Sequence, residues 1–237
     1  MSEKILEVMV GNIESMQEAI NGGAMRIELC SNPENGGTTP SAGYFLAARK
    51  MTKLPIFVLI RPHSGDFKYN LQDLESIYED IKFFRENGAD GIVCGCLTEN
   101  REVDFEITKK MVELSHPLPF TFHRAIDDCI DIEKGVETAL KAGSQRVLTS
   151  GGKEKAIDGI ETIEKLITKY GDKITIMPGS GINSDNVLDF INIGANEVHA
   201  SASSSHNFSK NKNQLFYRKS VNITDAEKVK AIINKLK

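Results

Sequence analysis

A short pattern recurs four times along the chain and limits the folds open to it. Its copies are Gly22-Gly23-Ala24-Met25-Arg26-Ile27-Glu28-Leu29-Cys30, Gly88-Ala89-Asp90-Gly91-Ile92-Val93, Gly143-Ser144-Gln145-Arg146-Val147-Leu148 and Gly194-Ala195-Asn196-Glu197-Val198-His199. Each follows a helical pattern and opens a short run with the alternation of a strand. The glycine suits a left-handed helix cap. The copies lie about two βα units apart, the spacing of alternate strands in a repeated βα fold.

Between the copies, apolar periodicity predicts further strands at 4–10, 56–61, 120–124 and 173–177. Helices are predicted over 13–21, from Ser41 to about Thr52, and over 71–87, 104–115, 132–141 and 154–170. Two more are predicted, one capped by Asn183 or Ser184 and a final one capped by Thr224. Residues 202–222, polar and rich in Ser and Asn, read as a long mobile loop. Eight strands alternating with eight helices also fit an open doubly wound sheet, but recurrence at every second strand favours closure. The expected fold is a single-domain α/β (β/α)8 TIM barrel spanning residues 1–237.

In such a barrel, alternate strands contribute the side chains of each interior layer. Aligning the four copies places Arg26, Gly91, Arg146 and Glu197 in one layer and Glu28, Val93, Leu148 and His199 in the next. Cys30, Gly95, Ser150 and Ser201 follow at the C-terminal mouth. The other strands supply Glu7, Phe57, Thr121 and Thr175, then Met9, Leu59, His123 and Met177, with Arg61 at the mouth. An interior holding Glu7, Glu28, Arg61, His123 and His199 is unusual, because unpaired buried charge costs several kcal/mol per ion. Arg26, Arg146 and Glu197 read as a structural ion network at the closed end. The group nearer the mouth is the candidate site, since barrel active sites lie at that face.

Glu7, Glu28, Arg61, His123 and His199 are the candidates for catalysis. The carboxylates and imidazoles supply acid–base groups, and Arg61 a bidentate clamp for a carboxylate or phosphate. Asp66, Tyr69, Arg124, Asp127 and Ser150 follow strand ends and are expected to bind substrate; Arg124 points away from His123 and can instead fix a loop. Gly179 and Ser201 lie in the loops after the seventh and eighth strands, where many barrels hold phosphate. Cys30, Cys94 and Cys96 are the soft metal-ligand candidates, suited to Cu(I). The C-x-C pair faces the helices in this register, leaving Cys30 as the thiol nearest the mouth. No organic-cofactor motif stands out.

Composition narrows the partners. The chain of 237 residues is 40% hydrophobic, with net charge −4 and pI near 5.8. No basic block argues for nucleic acid or an anionic membrane, and no apolar run is long enough to span a bilayer. The start shows no signal-peptide pattern, and four cysteines do not form a disulfide framework. A cytoplasmic location is expected. Phe208, Leu215, Phe216 and Tyr217 interrupt a polar segment and fit either a surface for a second copy, giving a homo-oligomer, or a segment folded back over the barrel.

The chain also resembles the CutC copper-homeostasis family. The resemblance rests on Arg26-Ile27-Glu28-Leu29-Cys30, Glu34-Asn35-Gly36-Gly37-Thr38-Thr39-Pro40-Ser41, Ile60-Arg61-Pro62, Gly65-Asp66-Phe67 and Tyr69. It continues through Thr121-Phe122-His123-Arg124-Ala125, Asp127, Leu148-Thr149-Ser150-Gly151 and Val198-His199. Where the family tends to have Arg-Gly after the Arg-Pro, this chain has His63-Ser64. The resemblance implies a cytoplasmic, homo-oligomeric TIM barrel in copper handling, with Cu(I) as ligand. The alternative, read from the mouth residues, is an acid–base enzyme acting on a small anionic or hydroxylated substrate. A third is a binding or scaffold protein.

Overall fold

The computed structural model describes residues 4–207 and 220–237. Eight parallel strands alternate with helices. The order is β1 (Ile5–Val10), α1 (Ile13–Gly22), β2 (Arg26–Leu29), α2 (Ala42–Met51), β3 (Ile56–Leu59), α3 (Leu71–Glu86), β4 (Gly91–Cys94) and α4 (Phe105–Ser115). It continues with β5 (Phe120–Phe122), α5 (Ile132–Lys141), β6 (Arg146–Thr149), α6 (Ile160–Tyr170), β7 (Thr175–Pro178), α7 (Val187–Asn192) and β8 (Glu197–Ala200). The strands pair in chain order, and β1 also pairs with β8. A parallel bridge between Gly179 and His199 joins β7 to β8 and completes the (β/α)8 barrel.

The fourfold pattern has one physical cause. In all four copies a glycine takes positive φ: Gly23 (+87°), Gly88 (+93°), Gly143 (+98°) and Gly194 (+99°). The residue after it returns its amide to a carbonyl five residues back: Ala24 to Ala19, Ala89 to Phe84, Ser144 to Ala139 and Ala195 to Phe190. This is a Schellman-type helix end. The returning residue is small because it is buried each time. One local motif thus ends four helices and aims four strands alike.

Two cores result. The larger lies between strands and helices and includes Ile27, Ile92, Val147 and Val198, the outward partners in the repeat. A smaller cluster of Cys30, Phe57, Leu59 and Val93 lies inside the barrel, with Met9 against it.

Four details differ from expectation. Part of the 202–222 segment is a hairpin: β9 (Ser203–Asn207) pairs antiparallel with β10 (Ser220–Thr224). The Thr224 amide donates to buried Ser15, and Asp225 instead caps α8 (Ala226–Leu236) by accepting from Glu227 and Lys228. Residues 156–159 form a 3-10 turn, so α6 starts only at Ile160. Asn183 accepts from Asp185 two residues on, which makes a turn, and α7 begins at Val187. Phe208, Leu215, Phe216 and Tyr217 lie outside the described residues.

Candidate functional site

Register puts the charged side chains together. Glu7 on β1 is level with Arg26 on β2 and with His199 on β8. Arg26 Nε donates to Glu7 at 2.5 Å, and one of its two terminal nitrogens reaches Glu197 and the Met177 sulfur. Arg146 Nε also donates to Glu197, at 2.9 Å. The expected closed-end network is therefore present, and it extends upward to Glu7. His199 Nδ1 lies 2.8 Å from the second Glu7 oxygen.

Glu28, one step along β2 from Arg26, is buried with one carboxylate oxygen lacking a hydrogen-bond partner. Ligand atoms of Glu7, Glu28 and His199 lie within 4.8 Å of one another.

The two acids behave oppositely. Burial pushes both upward. For Glu7, the charges and hydrogen bonds of Arg26 and His199 overcome burial and bring it down to about 2. For Glu28, burial dominates and the Glu7 charge adds to it; opposed by His199 and Arg26, these still raise it to about 7. Burial lowers His199, but Glu28 and Glu7 outweigh it and raise the imidazole. Glu7 is thus a fixed anion, so His199 Nδ1–H donates to it and Nε2 is left for another partner. Of the two acids, Glu28 is the one whose protonation changes near neutral pH.

Glu28 and His199, but not Glu7, line a cavity of about 250 Å³ at the C-terminal mouth, together with Arg61, His123 and Ser201. Phe67 also lines it; the sequence marked it only within the family resemblance and not as a site candidate. The tilted His123 ring lies 4.9 Å from the Phe67 ring, and the Arg61 guanidinium lies 4.6 Å above it. Arg61 is anchored by the carbonyls of Asn35, Gly37 and Gly65. Gly36 and Gly37 have φ near +80° and +83°, so the adjacent glycines turn carbonyls back toward Arg61. That pair was the legible sign of the cradle. Burial and Arg61 lower His123 to about 3.

The remaining candidates are spread out. Arg124 lines the cavity but is also tied to Asp127, Ser150 and the Lys153 carbonyl. Asp127 accepts from the Thr149 hydroxyl (2.5 Å) and from the Ser150 and Gly152 amides. Both Asp127 and Ser150 therefore fix the loop after β6, and neither lines the cavity. Asp66 is exposed and accepts from the Lys68 amide. Tyr69 is buried, edge-on to His63, with an unpartnered hydroxyl. Gly179 lies in the β7–β8 seam, where a Cβ would come within 2.5 Å of Leu148.

The thiols do not converge. Cys30 belongs to the inner cluster, whereas Cys94 and Cys96 pack in the outer core. Side chains alternate across a strand, so Cys94 and Cys96 share the helix-facing side. Burial raises all three thiols, Cys96 to about 12. None is a ready thiolate.

The family model described as the CutC family matches residues 4–204. The chain belongs to the CutC family. The mouse copper homeostasis protein cutC homolog is 44% identical over 85% of this chain and 74% of its own length. A CutC family protein of Photobacterium profundum is 36% identical over 98% of both chains. A crystal structure of CutC from Streptococcus agalactiae superposes with TM-score 0.79 at 30% identity, over 84% of this chain and 98% of that one. The barrel also resembles thiamine phosphate pyrophosphorylase from Pyrococcus furiosus (TM-score 0.61, 16% identity, 98% and 95% covered), a likeness of fold alone. The CutC match runs through all eight barrel strands and ends inside β9.

Proposed function

We propose that this CutC-family protein acts in copper homeostasis by holding a copper ion at the barrel mouth, between His199 Nε2 and Glu28. The observation that carries the reading is the unpartnered, buried Glu28 oxygen beside His199 and Glu7. Glu7 accepts from the other ring nitrogen of His199, as carboxylates behind metal-bound histidines do. Imidazole and carboxylate ligands fit Cu(II) better than Cu(I). The thiols, divided between two cores and raised by burial, form no common Cu(I) cage. Among the described residues no helix is long and apolar enough to cross a membrane, and a cytoplasmic location belongs to the same proposal.

Copper titration tests it. Cu(II) should bind stoichiometrically, with imidazole nitrogen coupling in the electron paramagnetic resonance spectrum. Glu28→Gln and His199→Gln should abolish binding, while Cys30→Ser and the Cys94→Ser/Cys96→Ser pair should retain it. Anaerobic Cu(I) binding that survives Glu28→Gln but disappears with Cys30→Ser would overturn the assignment. So would an absence of copper binding altogether.

A further inference from the structure

His123 is held by one edge. Its Nδ1 accepts the Ala125 amide at 3.3 Å. The same edge lies over Gly95, where a Cβ would come within 2.8 Å of Nδ1 and 2.9 Å of Cε1. With Nδ1 accepting, a neutral ring carries its proton on Nε2. That nitrogen is buried without a partner, in a residue that lines the mouth cavity.

Arg61 shows a matching shortfall. Its two terminal nitrogens donate to three backbone carbonyls, but its Nε is buried without a partner. All its hydrogen-bond partners among the described residues are neutral. Both groups rest on the Phe67 ring. Buried donors are normally satisfied, and each exception calls for an account.

We infer that His123 and Arg61 form a subsite for the carboxylate of a small organic acid. His123 and Arg61 between them offer two donors and no acceptor, which suits a ligand group that only accepts. A guanidinium whose hydrogen bonds go only to backbone carbonyls favours an anion over a neutral carbonyl compound. A cavity of about 250 Å³ limits the ligand to a few carbons. Phe67 lines the same cavity and offers an apolar wall to the ligand's body. The subsite shares its cavity with Glu28 and His199 but uses neither of them and does not need copper.

The test uses the full-length, chelator-treated protein, labelled with nitrogen-15 in its histidine rings, so that loss of the copper reading leaves it untouched. Pyruvate, lactate and succinate are the probes, with glycerol as the uncharged control and inorganic phosphate as the competing anion. His123 should read as the Nε2–H tautomer across about pH 5 to 8. At least one acid should shift its Nε2 signals saturably at millimolar concentration, whereas glycerol should not. His123→Phe should weaken that binding by about tenfold or more. If that variant does not fold, the wild-type ring signals decide alone. An Nδ1–H tautomer, no shift with any of the three acids, or a shift with phosphate only would each overturn the inference.

Discussion

Glu7 and Glu28, buried carboxylates on adjacent strands, are held in opposite states. Glu7 bonds both Arg26 and His199 and is depressed to about 2, whereas Glu28 has an unpartnered oxygen and is raised to about 7. Arg26 makes the difference by donating to Glu7 and Glu197. One acid is thereby spent on structure, and the other is left to face the cavity.

Glu7→Gln should be among the most damaging single changes in the barrel. It removes the charge partner of a buried guanidinium and the acceptor that holds His199. Breaking such a pair from one side costs about 3–5 kcal/mol. A urea unfolding series should show that loss as a lower midpoint.

On acidification His123 should withdraw stability, against the opposite contribution of Glu28, which binds its proton at about 7 in the fold and at about 4.5 outside it. The His123 pKa drops from 6.5 to about 3 on folding, so below 6.5 the unfolded chain binds a proton that the folded chain refuses. The His123 contribution is therefore complete above 6.5 and declines toward about 3, by a few kcal/mol. His123→Gln, which lacks the titrating ring, should remove that contribution, so that the variant loses less stability than wild type as pH falls from 6.5 when unfolding midpoints are compared.

Asp127→Ala should destabilise by about 2–4 kcal/mol, since it leaves a buried hydroxyl and loop amides without an acceptor. Copper binding should survive, because Asp127 does not line the cavity. Parallel unfolding and titration measurements would separate this loop role from a ligand role.

Gly159→Ala should cost about 1–3 kcal/mol or more through overpacking. A Cβ there would sit 2.1 Å from the Ser150 carbonyl oxygen and 3.0 Å from the Gly151 Cα. Both are backbone atoms, so a rotamer change gives no relief. Thermal unfolding reads the loss directly, and a wild-type midpoint would contradict the packing around Ser150.

By itself the sequence determined the barrel and the contents of its interior. The four glycine caps are local events, governed by φ and by bonds within six residues. The two-residue alternation that follows needs no tertiary information to assign faces. Hence Glu7, Glu28, His123 and His199 were legible as inward-facing, and Cys94 and Cys96 as facing the helices. Tertiary structure decided which of these groups were already taken. Arg26 claims Glu7 across a strand pair 19 residues apart, and Glu7 claims His199 across 192. Asp127 and Ser150 were drawn into a loop by bonds to each other, and three carbonyls captured Arg61. Whether a buried polar atom has a partner depends on distances between remote segments, and no local pattern encodes those.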